Sequence, residues 1–348
     1  MQMKRKSAAL IVVILLFALF FIRTSATAKT IQLSLSNFYP ASHFMNTRVL
    51  SQWIAEVEKA TEGAVKISNF PGGTLLKAPE TYDGIVSGTG DIGNGVFAYT
   101  RGRFPVMEGF ELPGIYFGSC AATTMVAVEG VEKFQPKELS DTKVMFLYSV
   151  GPGSLYSKKK VNALEDLQGM RIRATGLTAK SIAALGATPV AMPQPDVYES
   201  LSKGVIDGNI GPPEVLKGWK QADVTRFITI MPPVYNSIQY TVMNKATWES
   251  LPEKVRQAID GVNASYSLKA AQEWDAQQKE NGIDYGLAQG MKLDRLSQED
   301  NDKAMALMQP LLDDYIARMN EKGLPGKEIV EFVKARAKIY SEKYPTGY

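Results

Sequence analysis

Apolar positions recur along the chain with two periods, and the periods take turns. Ile31 to Ser36 switches between apolar and polar at each step, which predicts a strand. Ser42 to Glu62 places Phe44, Val49, Trp53, Ile54 and Val57 at helical spacing and stops at Gly63. Val65 to Phe70 is the next predicted strand. Pro71-Gly72-Gly73 then turns the chain into a helix around 78–87, and Asp91 to Val96 is a short strand. This alternation predicts a parallel sheet with helical crossovers, an α/β fold.

The cadence returns further on. Val144 to Val150 is a strand broken by Gly151-Pro152-Gly153. Arg171–Ala174, Thr188–Ala191 and Ile206–Asn209 are predicted strands, separated by helices at Thr178–Leu185 and Val197–Lys203. Each half ends in a similar way, with Gly90-Asp91-Ile92-Gly93 and Val205-Ile206-Asp207-Gly208, so the halves are expected to be two similar lobes. Leu251 to Gln278 repeats apolar residues at helical spacing over roughly 40 Å at 1.5 Å per residue, enough to cross both lobes. Ala304–Asn320 and Gly326–Lys343 are further amphipathic helices. The expected division is 29–152 for lobe I, with a return segment at about 240–280. Lobe II is 153–239, with the C-terminal segment at about 281–348.

The first 28 residues change the reading of charge. Lys4, Arg5 and Lys6 precede an apolar run from Ala8 to Ile22, and Ala26-Thr27-Ala28 is a small-residue exit, so a secretory signal cleaved after Ala28 is expected. The run is shorter than the ~20 residues of a spanning helix. This segment holds four of the 39 Lys+Arg and none of the 36 Asp+Glu, so the formal +3 becomes −1 without it. A nucleic-acid surface is therefore not indicated. One cysteine, Cys120, and one histidine, His43, exclude a Cys/His metal site and a Cys–His nucleophile pair. Cys120 reads as a small buried thiol. No cofactor motif is present, so no cofactor or metal is expected.

Several motifs carry a resemblance when taken in order. They are Phe70-Pro71-Gly72-Gly73-Thr74-Leu75, Gly88–Gly93, Gly102-Arg103-Phe104-Pro105, Asp166-Leu167-Gln168-Gly169-Met170-Arg171-Ile172-Arg173 and Leu185-Gly186-Ala187-Thr188-Pro189-Val190. Together they resemble the solute-binding proteins of TRAP (tripartite ATP-independent periplasmic) transporters over essentially the whole chain after residue 28. The resemblance implies a two-lobed periplasmic binding protein fold with a long helix bracing both lobes. It implies a monomeric, non-catalytic receptor that closes on a small organic anion and passes it to the small and large membrane subunits.

On the residues alone, Arg173 is either an anion clamp or a strand residue in a surface ion pair. The resemblance implies the first, because the matching family arginine pairs with a carboxylate. A guanidinium suits that role through two parallel N–H donors and a charge it cannot lose. Two departures limit the analogy. Pro152 stands where dicarboxylate and sialic-acid members carry a second arginine, and Gly211 stands at their turn asparagine. Losing one cation argues for one ligand carboxylate, and Asn209 is expected to supply the polar contact that Gly211 lacks. Tyr99, Tyr148, Trp219, Tyr235, Asn236 and Asn37 are the other expected ligand contacts, with Phe38 and Tyr39 at a cleft edge. The ligand expected is a monocarboxylate or a small sulfonate such as isethionate, with aromatic or keto acids admitted if the tyrosines line the cleft. A periplasmic sensor for a kinase, or an enzyme built on paired carboxylates, stays open as an alternative.

Overall fold

A computed structural model describes residues 29–345, so the export signal expected at 1–28 lies outside the described residues. Two sheets form the frame. The first has strand order β2-β1-β3-β10-β4, from β1 (Ile31–Asn37), β2 (Val65–Phe70), β3 (Ile92–Val96), β4 (Thr142–Ser149) and β10 (Ile238–Asn244). The second runs β11-β9-β5-β8-β6-β7, from β5 (Ser154–Ser157), β6 (Arg171–Arg173), β7 (Thr188–Val190), β8 (Gly208–Gly211), β9 (Phe227–Ile230) and β11 (Lys292–Arg295). β1 pairs in parallel with β2 and β3, and β6 with β7 and β8, as the βα cadence predicts.

The sheets are mixed rather than parallel throughout. β10 is antiparallel to β3 and β4, and β5 is antiparallel to β8 and β9. The reason is topological: β4 leads straight into β5, and β9 leads back into β10, so each lobe receives a strand arriving from the other. The final segment, expected with lobe II, divides. β11 joins the second sheet, while α8 (Gly326–Lys343) shares a core with the lobe I helix α3 (Cys120–Phe134) through Val126, Ala127, Ile329, Val330 and Val333. Between them, α7 (Gln298–Glu321) reaches both lobes, with Asp314 on Lys180 at 2.7 Å and Arg318 on Glu108 at 3.2 Å.

The long helix α6 (Glu253–Gln278) contacts both lobes. In lobe I its Asp275 carboxylate accepts the first backbone N–H groups of α3, from Cys120 at 2.7 Å and Ala121 at 3.0 Å. This satisfies donors that a helix start leaves unpaired. At its far end the buried Gln278 donates to the Val150 carbonyl (2.9 Å) and accepts the Glu214 N–H (3.1 Å), which ties the first crossing to a lobe II turn. Past Gln278 the helix kinks at Gly282, where a Cβ would meet Pro213 at 2.5 Å. Cys120 is fully buried, as its small apolar character predicts.

The two crossings touch each other through glycine. A Cβ on Gly153 would lie 2.6 Å from the Gly211 carbonyl oxygen and 2.5 Å from the Tyr235 ring. Replacing Gly153 by alanine is therefore expected to cost ~1–3 kcal/mol in denaturant unfolding, as overpacking does. The same change at Gly261, exposed in α6 with open space around it, is expected to gain ~1 kcal/mol. Equal effects at the two sites would refute the close-approach account.

Candidate functional site

Arg171 and Arg173 sit two apart on β6, yet their environments differ. Arg171 is exposed and pairs with Asp207, Nε to Oδ2 at 3.1 Å. That hydrogen bond holds the Asp207 carboxyl below the usual range. Arg173, at the carboxyl end of the strand, is 3% exposed. Open α/β sheets present ligands at that end. Its Nε donates to the Met192 carbonyl at 3.0 Å and its Nη2 to the Tyr99 hydroxyl at 3.3 Å. Among the described residues no carboxylate lies within ion-pair distance of it. The Tyr99 oxygen also accepts the Gln194 N–H at 3.0 Å, which leaves its own proton free to donate. Tyr99 belongs to lobe I, whereas Arg173 and Gln194 belong to lobe II, so these bonds hold the lobes together across the cleft.

Arg173 opens into an interlobe cavity containing about 360 Å³ of atom-free space, part of it open to solvent. Six aromatic side chains wall it: Phe38, Tyr39, Tyr99, Trp219, Tyr235 and Trp274. Phe38 stacks on Tyr39 with centroids 4.3 Å apart, and Trp219 lies 6.1 Å from Phe38 with the planes 21° apart. Burial raises the Tyr39 and Tyr235 phenols above their ordinary values, so both remain neutral O–H groups. Gln194, Glu214 and Gln239 add polar groups to the wall.

Of the contacts expected from sequence, the structure brings Arg173, Tyr99, Trp219 and Tyr235 to this cavity. The other four have different surroundings. The Tyr148 hydroxyl bonds to Asn94 (3.1 Å) and Gln239 (2.9 Å), one layer behind the lining. Asn37 donates to Asn46 and Asn69 at 3.0 and 2.8 Å, while the next two residues, Phe38 and Tyr39, line the cavity in its place. Asn209 is fully buried in lobe II with its amide on Gln221 at 2.9 Å, and it is not among the residues that line the cavity. Asn236 packs against Gly151 at the crossing. Glu214, Gln194, Gln239 and Trp274 were not anticipated. For Glu214 there was one available signal: it lies three residues past the carboxyl end of β8.

A second, larger cavity of about 960 Å³ lies beside the cleft, between the turn after β3 and helix α4 (Gly176–Ala184). Its Lys180 and Arg318 are already paired with Asp314 and Glu108, so they do not await an anion.

A family model described as bacterial extracellular solute-binding protein, family 7, matches residues 35–318. Three solved structures are similar. A TRAP solute-binding protein from a marine metagenome, specific for aromatic acids and holding 3-hydroxybenzoate, is 32% identical with a TM-score of 0.85, covering 89% of this chain and 99% of that one. One from Rhodoferax ferrireducens, with copurified benzoate, is 28% identical at a TM-score of 0.83, covering 90% and 99%. One from Desulfovibrio salexigens, described as an open complex, is 31% identical at 0.78, covering 91% and 99%.

The geometry yields a stability prediction. A buried charge without a counter-charge destabilises the protein that holds it. Arg173→Met, measured by denaturant unfolding without ligand, is expected to be as stable as the parent or up to ~1–2 kcal/mol more stable. A loss above that size would make Arg173 a structural brace.

Proposed function

This chain belongs to family 7 of the bacterial extracellular solute-binding proteins, the non-enzymatic periplasmic receptors of TRAP transporters, and from that premise we propose that its ligand is an aromatic monocarboxylate. The observation that carries the proposal is a buried guanidinium without a carboxylate partner in a cavity walled by aromatic rings. The guanidinium takes the ligand carboxylate through a two-pronged hydrogen bond. The ring lies against Phe38, Tyr39, Trp219 and Tyr235, whose apolar faces exclude water and strengthen the charge contact. Pro152, in place of a second cation, leaves nothing for a second carboxylate. A small sulfonate such as isethionate would satisfy Arg173 but leave most of the aromatic wall uncovered. Benzoate and 3-hydroxybenzoate, held by the relatives, have the required shape and charge.

Loading and release follow from the interlobe bonds. An open receptor hydrates Arg173. The bound anion replaces that water, and the Tyr99 bonds to Arg173 and Gln194 then close the lobes over it. The closed form is the species handed to the membrane permease of the TRAP system.

A thermal-shift screen of organic acids is expected to rank benzoate-like monocarboxylates first. The best acid should lower the radius of gyration in small-angle scattering. By calorimetric titration with that acid, Arg173→Ala should lose ~2–5 kcal/mol, Arg173→Lys should recover part of it, and Arg171→Ala should lose under ~1 kcal/mol. Stabilisation by aliphatic acids or sulfonates alone would refute the aromatic reading. Export is tested separately. Ala26-Thr27-Ala28 predicts that protein recovered from the periplasm begins at Lys29, and an intact mass that still includes Met1 would refute cleavage.

A further inference from the structure

A second charge faces the same cavity. Glu214 follows the Gly211-Pro212-Pro213 turn at the end of β8, and its side chain is 1% exposed. Oε2 bonds to Nε2 of His43 at 2.9 Å. The other imidazole nitrogen, Nδ1, accepts the Met45 N–H at 3.1 Å, so it carries no proton. The ring proton therefore sits on Nε2 and points at Glu214, which makes His43 a neutral donor. One neutral N–H serves one of the two oxygens, and among the described residues no hydrogen bond reaches Oε1. A carboxylate has about four acceptor sites, and burying it with so few donors is costly. Arg173 lines the same cavity yet is too far away to form an ion pair with it. The cavity thus holds an unmatched cation and an under-served acceptor at separate places, and one ligand can satisfy both.

We propose that Glu214, oriented by His43, accepts a hydrogen bond from the ligand, so that the preferred ligand is an aromatic acid carrying a ring hydroxyl. This inference rests on the monocarboxylate reading above. The carboxylate is anchored at Arg173 and the hydroxyl donates to Glu214, with the ring between them against the aromatic wall. His43 belongs to lobe I and Glu214 to lobe II, so the two lobes build the reader together. A ligand without the hydroxyl brings no donor to this oxygen, and this is where discrimination arises.

Calorimetric titration of the full mature receptor with benzoate, 3- and 4-hydroxybenzoate and the two methoxybenzoates tests the inference. One hydroxy isomer is expected to bind at least about tenfold tighter than benzoate and than its own methoxy counterpart, as a hydrogen bond to a charged acceptor allows. In Glu214→Gln, which keeps the shape but loses the charge, the ratio of hydroxybenzoate to benzoate affinity should shrink by about fivefold or more. The ranking in the unmodified receptor stands as a test even if the variant does not fold. A receptor that binds benzoate as tightly as both hydroxy isomers overturns the inference. So does a folded Glu214→Gln that keeps the preference or weakens every ligand equally. Those results leave the monocarboxylate reading intact. A receptor that binds none of the five acids overturns that reading and this inference with it.

Discussion

Burying Arg173 to 3% exposure takes a charge out of water that no carboxylate among the described residues replaces. An uncompensated buried charge costs several kcal/mol even after relaxation. The protein keeps it by spreading two of its donors over neutral oxygens, the Met192 carbonyl and the Tyr99 hydroxyl. Neither is an anion, so the attraction left over is available to a ligand. The short strand β6, parallel to β7 and β8, sets the height of the guanidinium at the cleft edge. Arg171, two residues earlier, stays at the surface on Asp207.

The groups around that charge join the two lobes across the cleft. The lobes are joined by two crossings and by helices α6 and α7, and the joints are made of small or paired groups. Gly153 lets the first crossing come up against the Tyr235 ring of the second and the Gly211 carbonyl, and Gln278 fastens the first crossing to the turn that carries Glu214. Asp275 locks the other side of the same helix onto α3 in lobe I. Past Gln278 the same helix kinks at Gly282, close against Pro213. The bonds that cross the cleft at the cavity, from Tyr99 to Arg173 and Gln194 and between His43 and Glu214, each involve a group that lines it.

Sequence by itself determined the parts of this protein that depend on neighbours in the chain. The two β-α-β cadences, the turn glycines, the helices over 253–278 and 326–343, and the position of Arg173 on a short strand all come from local periodicity and motif. The place of Arg173 at the cavity was legible because it needs only a residue type at the end of a strand. The same reasoning located the first cleft edge at 37–39 but not which of its side chains enters: Asn37 turns to Asn46 and Asn69, and Phe38 and Tyr39 enter instead. Tertiary structure alone decided the rest, because those interactions join residues far apart in sequence. His43 meets Glu214 across 171 positions, Tyr39 meets Gln239 across 200, and the last helix joins lobe I although it follows lobe II. No periodicity records such a meeting. The side chains that fill the cavity are chosen by how two separately folded lobes face one another, and that is settled only when their buried charges and rings are brought together.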